Sequence, residues 1–288
     1  MTNKKILSYL SLLIVSIIWG SGFIATQFAI DSKLSIEGIM TLRFFIGTLC
    51  VGIFSRKRLL ITSKKTLKHG IIAGAILFVA FYSQTIGQSK TTISNAALIT
   101  STNVVIIPFL MWLISKKRPS IRTFILSVIT MIGIIILTWQ NGERIEFQTG
   151  DIIIVLCATT FALHIVFLGI YCKEEPADLI TFWQLLAAAI ISCLVWLVSP
   201  ETLKLEQLKN ATLPILYLGI FSTFLCYYLQ TKAQQNIHPS AAGIILSFEG
   251  LFGSLFSIII GIERFRINVL LGGIIITFCV ICMSKESE

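Results

Sequence analysis

Polar and charged residues along this 288-residue chain gather in short clusters, and the stretches between them are apolar and long. A bilayer's hydrocarbon layer takes roughly 20 residues of helix. Runs of that order, bounded by charge, Pro or Asn, fall at 6–30, 36–54, 70–88, 93–115, 121–139, 151–171, 178–198, 211–231, 239–261 and 267–283. None alternates polar with apolar residues as a membrane β-strand does, so all ten are predicted to be helices. The longest loop, 55–69, leaves no room for a soluble domain. Lys4 and Lys5 precede the first run as they would in a secretory signal. That run is too long for a signal's apolar core and lacks a small-residue cleavage site, so it reads as a retained helix.

The pattern also repeats. Residues 82–121 align without a gap on 228–267 at a constant offset of 146, with eleven of 40 positions identical. The polar identities carry the match, because shared Ile and Ala come easily in membrane helices: Tyr82 with Tyr228, Gln84 with Gln230, Gln88 with Gln234, Ser94 with Ser240, Ser101 with Ser247 and Arg118 with Arg264. The expected architecture is therefore an all-α membrane protein of ten transmembrane helices, built from two five-helix repeats, 1–145 and 146–288. Five is odd, so the second repeat starts on the opposite side of the membrane and lies inverted. Inverted-topology repeats are a hallmark of secondary transporters, whose halves exchange conformations about a midplane site.

Composition agrees: 55% of residues are hydrophobic and 13% charged, with a mean hydropathy of +0.88. The net charge of +9 raises the question of nucleic acid, and its placement answers it. With the N-terminus cytoplasmic, fifteen of the 23 Lys and Arg fall in cytoplasmic segments or, for Arg122, at a span's cytoplasmic edge, and seven outside, leaving Arg43 alone in the interior of a span. That asymmetry is the positive-inside signal and places both termini in the cytoplasm. Nucleic acid is not an expected partner; the lipid bilayer is. Cys50, Cys157, Cys193, Cys226, Cys279 and Cys282 lie within spans and Cys172 at a span edge, where they pack as small apolar residues. Cys279 and Cys282 form a C-x-x-C with no second ligand pair, so neither a metal, a disulfide nor a cofactor is expected. Asn210-Ala211-Thr212 is a formal glycosylation sequon in the loop abutting span eight.

Polar residues at mid-membrane depth are the candidate chemistry. Asn103 aligns on Glu249, each near the centre of its span. A carboxylate there is costly unless it faces protein or water. Its helix carries small residues at Gly243, Ser247, Gly250, Ser254 and Ser257, and span four has Thr100, Ser101, Thr102 and Asn103 in succession, so the two helices are expected to line one interior. Trp19 and Ser21 alternate with Gly20 and Gly22 at the same depth of span one. Two readings stand for these glycines: a loosened helix beside a cavity, or close helix packing. Trp19, Tyr82, Gln84, Trp183, Gln184, Tyr227, Tyr228 and Gln230 offer aromatic and amide contacts to a zwitterionic or moderately polar small molecule. His164, near the centre of span six, reads as a packing or a proton-handling residue. Arg43 reads as a partner of substrate or Glu249, or as a snorkelling side chain near the external face.

These residues resemble the ten-helix drug/metabolite transporter superfamily, and in particular its EamA branch. "WGSGF" is similar to that branch's W-G-x-x-F signature at Trp19, Gly20 and Phe23, and Arg43 to a basic residue frequent in helix two. "SAAGIILSFEGLFGSLFSIIIGIERF" (240–265) resembles the helix-nine signature, with Glu249 and Glu263 at its acidic positions. Two departures are Glu249-Gly250 in place of Glu-Pro, and Lys117-Arg118 where an acid precedes Arg. The resemblance implies a secondary transporter exporting a small amino-acid-like or drug-like solute across a bacterial inner membrane by alternating access. Glu249 would then couple protons or recognise an amine. A lipid or lipid-intermediate flippase of the same fold is the alternative. An intramembrane enzyme is disfavoured, because Ser21 has no His or acid placed near it by sequence and only three histidines exist. Both halves sit in one chain, so a monomer is expected to suffice.

Overall fold

The computed structural model describes residues 3–91, 93–116, 118–138, 149–199, 204–261, 265 and 267–286. Every predicted run falls on helix. The elements are α1 (Asn3–Asp31), α2 (Ile36–Leu59), α3 (Lys64–Gln88), α4 (Ile93–Ser101), α5 (Asn103–Ser115), α6 (Ile121–Thr138), α7 (Thr149–Tyr171) and α8 (Ala177–Leu197). There follow α9 (Leu205–Tyr217), a π-helical segment (Leu218–Leu225), α10 (Cys226–Gln234), α11 (Pro239–Leu246), α12 (Phe248–Ile259) and α13 (Ile267–Glu286). Six of these stretches are long and apolar enough to cross a membrane, and shorter apolar helices lie at Ile99–Ser115, Ile121–Ile136 and Leu270–Cys279.

Sequence sets the helix ends as well as the spans. Ser35 caps α2 by accepting from the Gly38 N–H (3.2 Å), and Ser63 caps α3 by accepting from the Thr66 N–H (3.0 Å). α2 packs on α8 at one side of the bundle and α6 on α13 at the other. α1 lies against α12, α10 and α9, while α7 lies against α3, α5 and α4. Two large apolar cores result. One joins Leu12, Val104, Ile165 and Ile245, the other Phe44, Leu77, Phe81 and Tyr227, and Trp19 packs against both.

The single helices expected for spans four and nine are each interrupted, at Thr102 and at Ser247. Neither break holds a Gly or Pro. In each, a hydroxyl turns back onto the carbonyl three residues upstream, Thr102 to Ile99 and Ser247 to Ile244, both at 2.7 Å, and the chain tightens there. Span eight starts at Leu205 rather than 211, so Asn210-Ala211-Thr212 lies within a helix rather than a loop.

α1 runs unbroken through Trp19-Gly20-Ser21-Gly22, against the reading of a loosened helix. A Cβ on Gly20 would stand 2.7 Å from the Gly253 nitrogen, 2.8 Å from Phe252 Cβ and 2.9 Å from the Glu249 carbonyl oxygen. The backbones of α1 and α12 therefore touch, and only glycine permits it. A Cβ on Gly22 would stand 3.3 Å from Ser222 Oγ, and one on Gly250 would stand 3.6 Å from Ser101 Oγ, an ordinary contact. Lys117, Glu263 and Arg264, most of 140–150, the start of 199–210, and the side chains of Ser94, Ser254 and Ser257 lie outside the described residues.

These contacts make Gly20→Ala destabilising, by about 1–3 kcal/mol for an overpacked contact, while Gly250→Ala is tolerated. Thermal midpoints of the two purified variants check the contrast; equal midpoints would mean that α1 and α12 are not in backbone contact.

Candidate functional site

The site is built around the contact of α1 with α12. Arg43 sits in α2 with 1% of its surface exposed, so it does not snorkel. Its Nε donates to Thr223 Oγ1 (3.1 Å) and its Nη2 to Ser222 Oγ (3.4 Å), both in the π-helical segment. Its guanidinium lies over the Phe81 ring, 4.1 Å from the centroid, a cation–π contact. The same segment receives Trp19, whose indole N–H donates to the Ser222 carbonyl at 2.9 Å. π segments recur where backbone groups serve a local need; here the two most polar intrusions from α1 and α2 converge on one.

Glu249 lies in the first turn of α12, 7% exposed, with neither an ion pair nor a hydrogen bond among the described residues. It faces a cavity that Arg43 also lines. Asn103 lines it from the start of α5, with its Oδ1 unpartnered. Trp19, Gly22, Thr26, Gln84, Thr100, Ser222, Tyr227 and Gln230 complete the polar part, and Phe23, Phe81, Phe161, Ile165 and Leu246 the apolar part. Five pairs of lining residues stand 146 positions apart: Trp19 and Ile165, Phe81 and Tyr227, Gln84 and Gln230, Thr100 and Leu246, Asn103 and Glu249.

Other residues singled out from sequence stand apart from the cavity wall. Ser21 shares a short hydrogen bond with the Tyr217 hydroxyl. Tyr82 donates to Glu37 at 2.7 Å and stacks on Phe78. Ser101 is fully buried with its Oγ unpartnered, against Gly250. His164 pairs through Nε2 with Gln184 Oε1 at 2.9 Å and stands edge-on to Tyr227, behind the wall. Trp183 donates to Thr62, and Tyr228 packs on Phe54. Sequence reasoning did not single out Phe81, Phe161, Thr26, Ser222 or Thr223. The offset of 146 that relates Phe81 to Tyr227 was the available signal for one of them.

The cavity uses Phe23 and Thr26 of α1, Arg43 of α2 and Gln84 of α3, so it extends toward the end where α1 finishes and α2 begins. The opposite end is tied shut. Arg58 pairs with Asp178 at 2.8 Å and Lys65 with Glu175 at 3.0 Å. Thr66 Oγ1 donates to Glu175 Oε2 (2.5 Å) and Gln235 Nε2 to the Glu175 carbonyl (2.7 Å). These ties bind the end of α2 and the start of α3 to the α7–α8 connection and the start of α8, and the α7–α8 connection to the residue that follows α10.

The chain is similar to known transporters. Residues 6–139 and 148–285 each match the EamA-like transporter family. An uncharacterized transporter of Archaeoglobus fulgidus is 31% identical over 281 residues, covering 98% of this chain and 87% of that one. The uncharacterized transporter YdfC of Bacillus subtilis is 23% identical over 235 residues, covering 80% of this chain and 75% of its own. A crystal structure at 14% identity superposes with a TM-score of 0.80 over 98% of this chain and 99% of the other, and so supports the fold. The chain belongs to the EamA-like transporter family, within the drug/metabolite transporter superfamily, and is a multi-pass membrane protein.

Outside the spans, Glu175 has a perturbed acidity. Burial by itself would raise its carboxyl; hydrogen bonds from Thr66 and Lys65 and the Lys65 charge outweigh burial and hold it below the usual carboxylate range. A depressed folded value contributes stability that is present above the unfolded value of about 4.3 and is lost as pH falls through the folded one. Glu175→Gln is therefore expected to lower the thermal midpoint near neutral pH, and the gap from the native chain to close on acidification below about pH 4. A gap that persists unchanged in acid would show that the Glu175 charge is not what ties this end.

Proposed function

We propose that the chain carries a small amphoteric solute across the membrane by alternating access, with Glu249 and Arg43 meeting its cationic and anionic ends. The observation that carries this reading is Glu249 itself: a buried carboxylate without a partner among the described residues, in the same cavity as a buried guanidinium. An unpaired charge at this depth costs several kcal/mol. A bound ammonium or a proton removes that cost, which is how a transporter site couples occupancy to conformation.

The five lining pairs at one offset support two inverted five-helix halves, 1–145 and 146–288, with the cavity on the axis relating them. The helix interruptions at Thr102 and Ser247, within one residue of the 146 offset, support the same reading, since broken helices line midplane sites in such folds. On that basis a single chain is the working unit. The fifteen-to-seven charge bias supports a cytoplasmic location for the ion-paired end and both termini, and hence a cavity extending toward the outside. A bacterial inner membrane and net export complete the proposal. Glu249 takes up a proton when the solute's ammonium leaves, so proton movement and solute movement oppose each other.

Purified protein in liposomes under an imposed proton gradient tests this with the twenty standard amino acids as probes. At least one is expected to change compartment chemically unaltered, and Glu249→Gln to slow its movement by about tenfold or more with the pH dependence abolished. Slower movement with the pH response retained would assign Glu249 to amine recognition alone. Unchanged movement and unchanged pH response would remove it from the mechanism.

A further inference from the structure

Tyr227 is the second residue of α10, directly after the π segment, and is fully buried on the cavity wall. Three rings clamp it: Trp19 at 5.4 Å, His164 at 5.6 Å and Phe81 at 5.9 Å between centroids. His164 is itself fixed by Gln184, which donates onward to Thr231. The ring therefore has one orientation. Its hydroxyl nevertheless has no hydrogen-bond partner among the described residues.

A buried Tyr hydroxyl normally finds a partner, and leaving one unmet costs about 1–3 kcal/mol. Packing does not explain it, because Phe fills the same space without that cost. The chain carries its own comparison: 146 residues earlier the equivalent wall position is Phe81, a ring without the hydroxyl, which supports Arg43 through its face. Tyr227 differs from it by one oxygen, and that oxygen is the unexplained part.

We infer that Tyr227 is a substrate-recognition residue whose hydroxyl, together with Arg43, holds a carboxylate at one end of the solute. This rests on the reading of the cavity as a solute site. Of the five guanidinium N–H groups, Thr223 and Ser222 engage two, one on Nε and one on Nη2. The remainder and the Tyr227 O–H are all donors, and Tyr227 lines the same cavity as Arg43 and Glu249. Several donors and one positive charge match a monoanion with two acceptor oxygens. A phosphate dianion would bring a second negative charge that this end does not neutralise. At the other end Glu249 and the unpartnered oxygens of Asn103 and Gln230 are acceptors, suited to the N–H groups of an ammonium.

The test uses full-length protein in liposomes, with the best-transported standard amino acid, its α-amide, and inorganic phosphate as probes. Tyr227→Phe removes one oxygen and no packing, so abundance and thermal midpoint should not fall. The half-saturation concentration of the amino acid is expected to rise about tenfold or more, as for a lost hydrogen bond to a charged group, with the maximal rate kept within about twofold. The α-amide, lacking the carboxylate, should bind poorly and equally to both proteins, and phosphate should not compete. An unchanged half-saturation concentration, an equal loss for acid and amide, or competition by phosphate would each overturn the assignment while leaving the transporter reading intact. If no amino acid moves at all, the amphoteric-solute reading fails and the assignment fails with it.

Discussion

A carboxylate and a guanidinium held in the apolar middle of the bundle, lining one cavity without pairing to each other, set the terms for everything around them. Had Glu249 and Arg43 met, the site would be a closed, neutral ion pair. Instead Arg43 is drawn to Ser222 and Thr223 and laid on Phe81, which satisfies part of its fork and leaves part free. Glu249 is left facing empty space. The backbone is shaped to keep them there: the π segment carries the two hydroxyls toward α2, and the glycine contact between α1 and α12 fixes Glu249's helix against the helix of Trp19.

The two ends of the bundle differ in kind. At one, charged side chains at the end of α2 and the start of α3 are paired with Asp178 at the start of α8 and Glu175 just before it. At the other the ties are mostly neutral donors, such as Gln88 to the Phe23 carbonyl at 3.0 Å, with Tyr82 reaching the Glu37 carboxylate. Exposed or rim ion pairs contribute little individually. That suits the proposed alternating access, in which such a contact would break and re-form between two states separated by only a few kcal/mol.

Much of this was legible before any coordinates. Long apolar runs fix helices in lipid because no other backbone arrangement satisfies its own hydrogen bonds there. Polar residues at the centres of such runs stand out for the same reason, which is how Asn103, Glu249 and Trp19 were found. The breaks at Thr102 and Ser247 were not legible, because a hydroxyl bonding back to the chain looks in sequence like any Ser or Thr in a membrane helix. Phe81 and Phe161 are indistinguishable by type from the many lipid-facing phenylalanines. Tyr82 misleads in the opposite way: its polarity serves a bond to Glu37 that sequence spacing does not reveal. The glycines of α1 admitted two readings, and a backbone contact between helices distant in sequence decided the one at Gly20.

Solute access to the cavity from alternate sides is the central claim, and thiol labelling reads it directly. With the seven native cysteines replaced, single cysteines at Gln84 and at Gln230 are exposed to a membrane-impermeant reagent in right-side-out and in inverted vesicles. Gln84→Cys should label from the side where α1 ends, and a transported solute should slow that labelling. Gln230→Cys should label from the other side once Asp178→Asn and Glu175→Gln release the ion pairs. If neither position labels from either side, or if solute and the released pairs leave both rates unchanged, the cavity between Arg43 and Glu249 is not the route.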